Sequence, residues 1–413
     1  MQMKTTPQRS VFETAAVLLL FASAIGCVEE FETDSIKFEQ LLVVDGNISD
    51  HIGSHQISLS YTTPINSNNN GQYEPASGAL IWLEDDLNNK IEFSEASPGH
   101  YISPENFAGT IGRSYALHIQ TSEGDKYQSQ LQLLSAAPEI SRIYHRFSID
   151  YGDGEATAHP GAQFFLDVDR TEASSQLFRF EWNDAHEVTA RYTKSLDSEV
   201  NPDGSYTIFP FNENVKVCYR EDSFSNIILA SALESTTGEL PEVPIRFTPS
   251  YGLDVTSAYS IEATIRAITP EAYSYYRKIK VFNESNGSLF DQQQGAVVGN
   301  VFSTSNPKEK VLGYFEVSGA ASKRIFMDVY DFSPEVLEHT FRTCSEFRLF
   351  ENVGSLYAFY NALDIQDEDE RQAAIIYRAH YEIFDYITAN MMGHRYCVDC
   401  RYRGSLGKPD YWP

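Results

Sequence analysis

Long apolar runs are scarce in this 413-residue chain. Past residue 24 none approaches the roughly 20 residues that a membrane-crossing helix needs. Basic residues are also few, 31 Lys and Arg against 58 Asp and Glu, for a net charge of −27. So acidic a surface is repelled by phosphate backbones and anionic lipid, which argues against nucleic-acid binding. There is no Gly-x-Ser-x-Gly, no phosphate-cradling glycine loop and no His-Glu-x-x-His. The common signatures of α/β-hydrolases, nucleotide-binding enzymes and zinc proteases are therefore missing. Methionine is scarce, at five, whereas 26 Phe and 25 Tyr are present. That balance favours β-rich packing. No internal repeat is evident, and low complexity is confined to an Asn-rich stretch at 65–72.

What is present begins with Cys27 and its surroundings. Lys4 and Arg9 form a basic leader, residues 15–24 are an apolar run, and Ala24-Ile25-Gly26 are small or short residues before the cysteine. This is the layout of a secretory signal peptide. It also resembles a bacterial lipoprotein signal, with Ala24 where Leu is usual. Residues 1–26 are then removed, and Cys27 carries acyl chains, palmitate among them. One chain holds only marginally, at about 0.8 kcal/mol per buried methylene, so multiple acylation makes the tether effectively permanent. The following 27–40 segment, with Glu29, Glu30, Glu32 and Asp34, reads as an acidic spacer. It resembles the signal that sends Bacteroidota lipoproteins to the outer face of the outer membrane.

Four cysteines remain: Cys218, Cys344, Cys397 and Cys400. In an oxidising compartment an even number implies disulfides, with three pairings open. Cys397 or Cys400 is expected to pair with Cys344 or Cys218. A zinc site of His394, Cys397, Cys400 and Cys344 is the competing reading, disfavoured because structural zinc sites usually pair two close-spaced motifs.

The chain is predicted to be mainly β: an N-terminal immunoglobulin-like β-sandwich over 41–137, then a larger β-rich domain over 138–413 with a few helices. Alternating strands such as Gln56-Ile57-Ser58-Leu59-Ser60-Tyr61, separated by turn residues every 8–12 positions, support the sandwich. Leu41 to Val44 reads as a strand running into a turn at Asp45-Gly46. Ile261 to Ile268 alternates cleanly and runs into a helix start, with Thr269 as N-cap, Pro270 at the first helical position and Glu271 in the first turn. Helices are expected near 270–284 and 368–391, the second opening on Asp367-Glu368-Asp369-Glu370.

Several segments together resemble a known lipoprotein family. They include Pro98-Gly99-His100-Tyr101, Gly299-Asn300-Val301, Val311-Leu312-Gly313-Tyr314-Phe315 and Ser322-Lys323-Arg324-Ile325-Phe326. The ending Cys397-Val398-Asp399-Cys400 to Tyr411-Trp412 fits as well, with Tyr411 where Phe is usual. The family is the Bacteroidota domain of unknown function 4249. Its members are typically lipoproteins encoded beside SusC-like TonB-dependent transporter barrels, and the resemblance implies that context without implying a catalytic site.

Candidate chemistry is sparse. His51 and His55 have helical metal spacing but sit among turn residues, so they are not expected to share an ion. Asp150, Asp153 and Glu155 flank Gly154 without the ligand spacing of a calcium loop. The acidic run 364–370 reads as a solvated helix start. Trp82 and Trp182 could stack on a sugar, though core packing explains them better. No metal or cofactor is expected. The expected function is a non-catalytic accessory or substrate-binding subunit of a SusC-like barrel engaged in nutrient uptake, lipid-anchored at the outer membrane and facing outward. A structural or assembly role in the envelope is the alternative, and a surface hydrolase the third reading. Lys323 and Arg324 stand out in so acidic a chain and are expected to dock the transporter; the competing reading makes them part of two core strands joined by a Gly-Ala turn.

Overall fold

The computed structural model describes residues 39–64, 73–151, 158–169, 175–202, 206–223, 226–233, 235, 239–250, 258–284, 297–338, 344, 347–349, 353–360, 371, 381–385 and 391–413. All elements below belong to the unit formed by Leu41–Thr63 and Gly71–Pro413. The chain is mainly β, as predicted. Cys27, Glu29, Glu30, Glu32, Asp153, Glu155 and the 364–370 run lie outside the described residues.

The first layer comprises β1 (Leu42–Ile48), β2 (Gln56–Tyr61), β3 (Glu74–Pro75), β4 (Leu80–Asp85), β5 (Lys90–Ser97), β6 (His100–Ile102), β7 (Ser114–Gln120), β8 (Lys126–Ser129) and β9 (Gln132–Leu133). β5 makes the sheet fold over. Its first half, Lys90 to Phe93, pairs with β4, and its second half, from Ser94 on, with β6, with a register shift within that pairing at Glu95/Ser97. Alternate residues from both halves then enclose one core, including Leu42, Val44, Ile57, Leu59, Ile81, Leu83, Leu117 and Ile119. Period-two patterning dictates this, because successive strand side chains point to opposite faces.

The rest of the chain contributes β10 (Ile140–Asp150), β11 (His159–Val168), β12 (Leu177–Thr189), β13 (Leu196–Val200), β14 (Tyr206–Pro210), β15 (Val217–Ser223), β16 (Ile228–Ser231), β17 (Leu240–Pro249) and β18 (Ala258–Ala267). Helix α1 (Pro270–Glu284) follows, then β19 (Val301–Ser303), β20 (Leu312–Val317) and β21 (Gly319–Asp328). The sheet β10-β11-β17 faces the sheet β15-β12-β18-β21, to which β16 is added through β12. Phe164, Leu166, Phe178, Phe180, Trp182, Tyr259 and Ile261 fill the core between them. Each such side chain contributes about 1.5–3 kcal/mol on burial.

Two findings modify the expected domain plan. The first layer recruits residues far beyond 137: β20 pairs parallel with β1, and β19 pairs antiparallel with β8. Val301, Val311, Phe315 and Val317 complete its core. Consequently Asp45-Gly46 is no turn. The strand runs on to Ile48 because Asp45 and Gly46 have partners in Tyr314 and Phe315. Gly313 makes the parallel pairing possible. Its φ is +88°, and a Cβ there would stand 1.9 Å from the Val44 carbonyl oxygen, so only glycine fits.

The second finding concerns the C-terminal region. Helix α1 forms where expected, with Thr269 Oγ1 accepting from Ala272 N at 3.2 Å. The helix expected near 368–391 lies mostly outside the described residues. Of its described residues Arg371 is helical, as expected, whereas Tyr381–Asp385 is a strand, paired with Met391–His394, which also pairs with Phe347–Leu349. Tyr381, Ile383 and Phe384 are β-favouring residue types, and cross-strand pairing overrides a helical reading based on an acidic start.

Candidate functional site

A groove of about 770 Å³ opens where the β8–β9 stretch meets the start of α1. Gln130, Gln132, Ser175, Gln176 and Thr269 bring amides and hydroxyls to it, and Leu131, Leu133 and Leu233 an apolar side. These three leucines are exposed. A smaller groove of about 390 Å³ adjoins it, sharing Gln130, Pro270 and Glu271, and runs along α1 past Tyr275 and Lys278 to Asn300 and Tyr314. Among the described residues, Glu271 is the one carboxylate lining either groove. Such a surface can hold a polar ligand by hydrogen bonds with one apolar side.

The wall of these grooves is rigid for identifiable reasons. Asn300 mimics a strand: Nδ2 donates to the Phe315 carbonyl at 2.7 Å, and Oδ1 accepts from Phe315 N at 2.9 Å. Gln132 Nε2 donates to the same carbonyl at 2.9 Å. Gly299 passes so close that a Cβ would meet the Gly313 carbonyl oxygen at 1.6 Å. The segments Gly299-Asn300-Val301 and Val311 to Phe315, both part of the sequence resemblance, thus pack on each other.

Beneath this wall lies a buried ion pair. Arg179 of β12 donates through Nε and Nη2 to Glu316 of β20 at 2.9 and 3.2 Å. Burial alone would raise the Glu316 carboxyl. The guanidiniums of Arg179 and Arg266, with hydrogen bonds from Arg179 and Ser318, outweigh it and hold the group down to about 2. Arg179 also reaches Glu181 at 2.7 Å and lies over the Tyr276 ring of α1.

The four cysteines form Cys218–Cys400 and Cys344–Cys397. Both bridges match the expected partners, and together they take every thiol that the zinc reading required. The first fastens the C-terminal segment to β15, where Tyr219 and Ser405 pair. Its end lies across the outer face of the β15-β12-β18-β21 sheet. Trp412 packs on Tyr219 and Phe326 with ring centroids 5.3 and 5.6 Å away, and Tyr411 Oη donates to Glu221.

Lys323 and Arg324 belong to this framework. Lys323 Nζ donates to the Ile140 and Ser141 carbonyls. Arg324 pairs with Glu262 at 2.9 Å and covers the Tyr411 ring at 3.7 Å. The docking role expected of this pair gives way to the competing reading: both sit on strand β21, their cations satisfied within the chain.

The other candidates are structural as well. His55 is buried, its Nε2 3.1 Å from the His51 carbonyl oxygen and its ring edge-on to Phe107. His51 is exposed, so the two imidazoles do not converge. Asp150 ends β10. Trp182 is in the core under Arg246, and Trp82 stacks on His118.

One cluster was not anticipated from the sequence. Asp184 and His186 of β12 and Asp222 of β15 bring one potential ligand atom each to within 4.8 Å of one another. Burial, with Arg220 and Arg246 nearby, pushes the His186 imidazole down to about 3. Burial raises the Asp184 carboxyl, against the opposing pull of Arg246 and Tyr259. The available signal was a polar interruption of an apolar stripe: Phe178, Phe180 and Trp182 alternate inward, then Asp184 and His186 take the same face before Val188.

Comparison with curated proteins gives no match. The family described as Domain of unknown function (DUF4249) matches residues 28–324, from just after Cys27 into β21. The chain belongs to that family.

Proposed function

We propose that this protein is a non-catalytic surface lipoprotein of the outer membrane, serving as an accessory or substrate-holding subunit of a SusC-like TonB-dependent barrel. The observation that carries the reading is the mixed amide-and-leucine groove at the start of α1, held by a rigid wall and lined, among the described residues, by a single carboxylate. A ligand can be retained there, whereas bond cleavage would need convergent titratable groups. The family resemblance supports the context, since it implies a lipoprotein encoded beside such barrels. The leader and Cys27 supply the anchor, and the acidic spacer the outward address. The strong negative charge suits a soluble body held outside an anionic surface.

Affinity recovery of the tagged, full-length chain from gently solubilised outer membranes tests the reading. A TonB-dependent barrel is expected in the eluate. Recovery of the lipoprotein with envelope-assembly components instead would favour the structural role.

A further inference from the structure

We propose that Asp184, His186 and Asp222 bind one divalent transition-metal ion, in a site distinct from the groove. The sequence places Asp184 and His186 two residues apart on β12, hence on one face. The register sets Asp184 opposite Asp222 of β15 and His186 opposite Tyr259 of β18. Three ligands from two strands are thereby fixed by the sheet.

The hydrogen bonding around them is one-sided. Asp184 Oδ2 accepts from Arg246 Nε at 3.1 Å and from Tyr259 Oη at 3.0 Å. This orients the carboxylate as an outer shell orients a metal ligand. Its other oxygen, Oδ1, has no hydrogen-bond partner, and neither nitrogen of His186 has one. The Asp184 and His186 side chains are 0% and 1% exposed. Burying polar atoms unsatisfied costs about 1–3 kcal/mol each, so something is expected to fill the space between them.

The spacing indicates what does. His186 Nε2 lies 3.9 Å from Asp184 Oδ1, too far for a hydrogen bond. Ligands about 2.0–2.2 Å from one ion stand about 3.0–3.6 Å apart. The remaining closure falls to Asp222, whose side chain is 43% exposed. That exposure also provides the entry path. An imidazole beside two carboxylates favours zinc, cobalt, nickel or iron over calcium or magnesium. Arg246 and Arg220, the latter 3.3 Å from Asp222, balance the two carboxylates when no ion is bound. The simplest rival occupant is an ordered water.

The test uses the full-length chain in detergent, stripped with EDTA and titrated with Co²⁺. One equivalent is expected to bind, with visible d–d absorption, and Zn²⁺ is expected to displace it. Asp222→Asn is expected to weaken binding by about tenfold or more, and His186→Gln to abolish the absorption band. Thermal unfolding in EDTA checks that each variant folds, and the half-exposed Asp222→Asn decides alone if His186→Gln does not. Absence of Co²⁺ binding by the parent would assign the space to water and overturn the proposal. Equal binding by parent and Asp222→Asn would overturn it too.

Discussion

Arg179 and Glu316 join strands from different layers: β12 lies in the five-stranded sheet, and β20 in the layer built on β1. Their pairing is buried, with the Glu316 side chain fully inaccessible. The two losses are unequal. Without Glu316, Arg179 keeps Glu181 and the Tyr276 face. Without Arg179, Glu316 is left with Ser318, Tyr276 and the pull of Arg266 alone. Arg179→Met is therefore expected to cost about 3–5 kcal/mol, and Glu316→Gln less. Chemical denaturation of both variants and of the double variant checks this ordering, and equal losses would contradict it.

The same carboxylate sets a pH dependence. Its folded-state pKa, about 2, lies below the ordinary 4.5. The stabilisation is therefore complete above about pH 4.5 and lost as pH falls through 2, amounting to about 3 kcal/mol. Arg179, Arg266, Glu181, Ser318, Tyr276 and Asp45 surround the group. Asp45 is shifted up, by burial first, and so works in the opposite sense. The stability gap between parent and Glu316→Gln is expected to narrow from pH 4.5 to 2. A constant gap would show that Glu316 does not titrate as described.

The bridge between Cys218 and Cys400 spans 182 positions, and that between Cys344 and Cys397 spans 53. Cross-links over such lengths typically contribute about 2–5 kcal/mol. Peptide mapping without reduction is expected to recover these two pairs. Cys218→Ala with Cys400→Ala is expected to lower stability by that amount and to expose the tail to protease. Four free thiols in the exported protein would contradict the pairing.

How far the sequence carried these features depends on distance along the chain. The strand Gln56–Tyr61 and the helix begun by Thr269 and Pro270 were legible because alternation and capping are local. The pairing of β1 with β20 was not, since Val44 and Gly313 are far apart and Gly313 looks like any turn glycine. The Tyr381–Asp385 strand was misread because an acidic start suggests a helix while the pairing partner, Met391–His394, carries no signal of its own. The amide-lined groove was equally hidden, as Gln132 and Thr269 meet only after folding. For Lys323 and Arg324, sequence offered charge contrast alone; Glu262 and Tyr411 explain where that charge goes.

The tail offers a separate check. Trp412 is 7% exposed between Tyr219 and Phe326. Its replacement by Ala is expected to cost about 3 kcal/mol. Reversing both charges at Lys323 and Arg324 is expected to cost more than about 1 kcal/mol, through lost partners rather than lost docking. A fully stable double variant with impaired barrel recovery would restore the docking role.

Anchoring is tested at the other end. Cys27→Ala is expected to leave the protein unprocessed or release it from the membrane. Alanine at Glu29, Glu30 and Glu32 is expected to strand it on the periplasmic face, shielded from protease added to intact cells. Normal processing and membrane retention of the first variant would contradict lipidation, and undiminished shaving of the second would contradict the export signal.

The most direct measurement of the proposed role is cross-linking on living cells, with the tagged wild-type chain expressed from its own locus and its partners identified by mass spectrometry. The expected result is cross-linked peptides joining this protein to one TonB-dependent barrel, lost in Cys27→Ala. A surface-exposed, normally anchored protein that yields no cross-link to any such barrel would contradict its assignment as a transporter subunit.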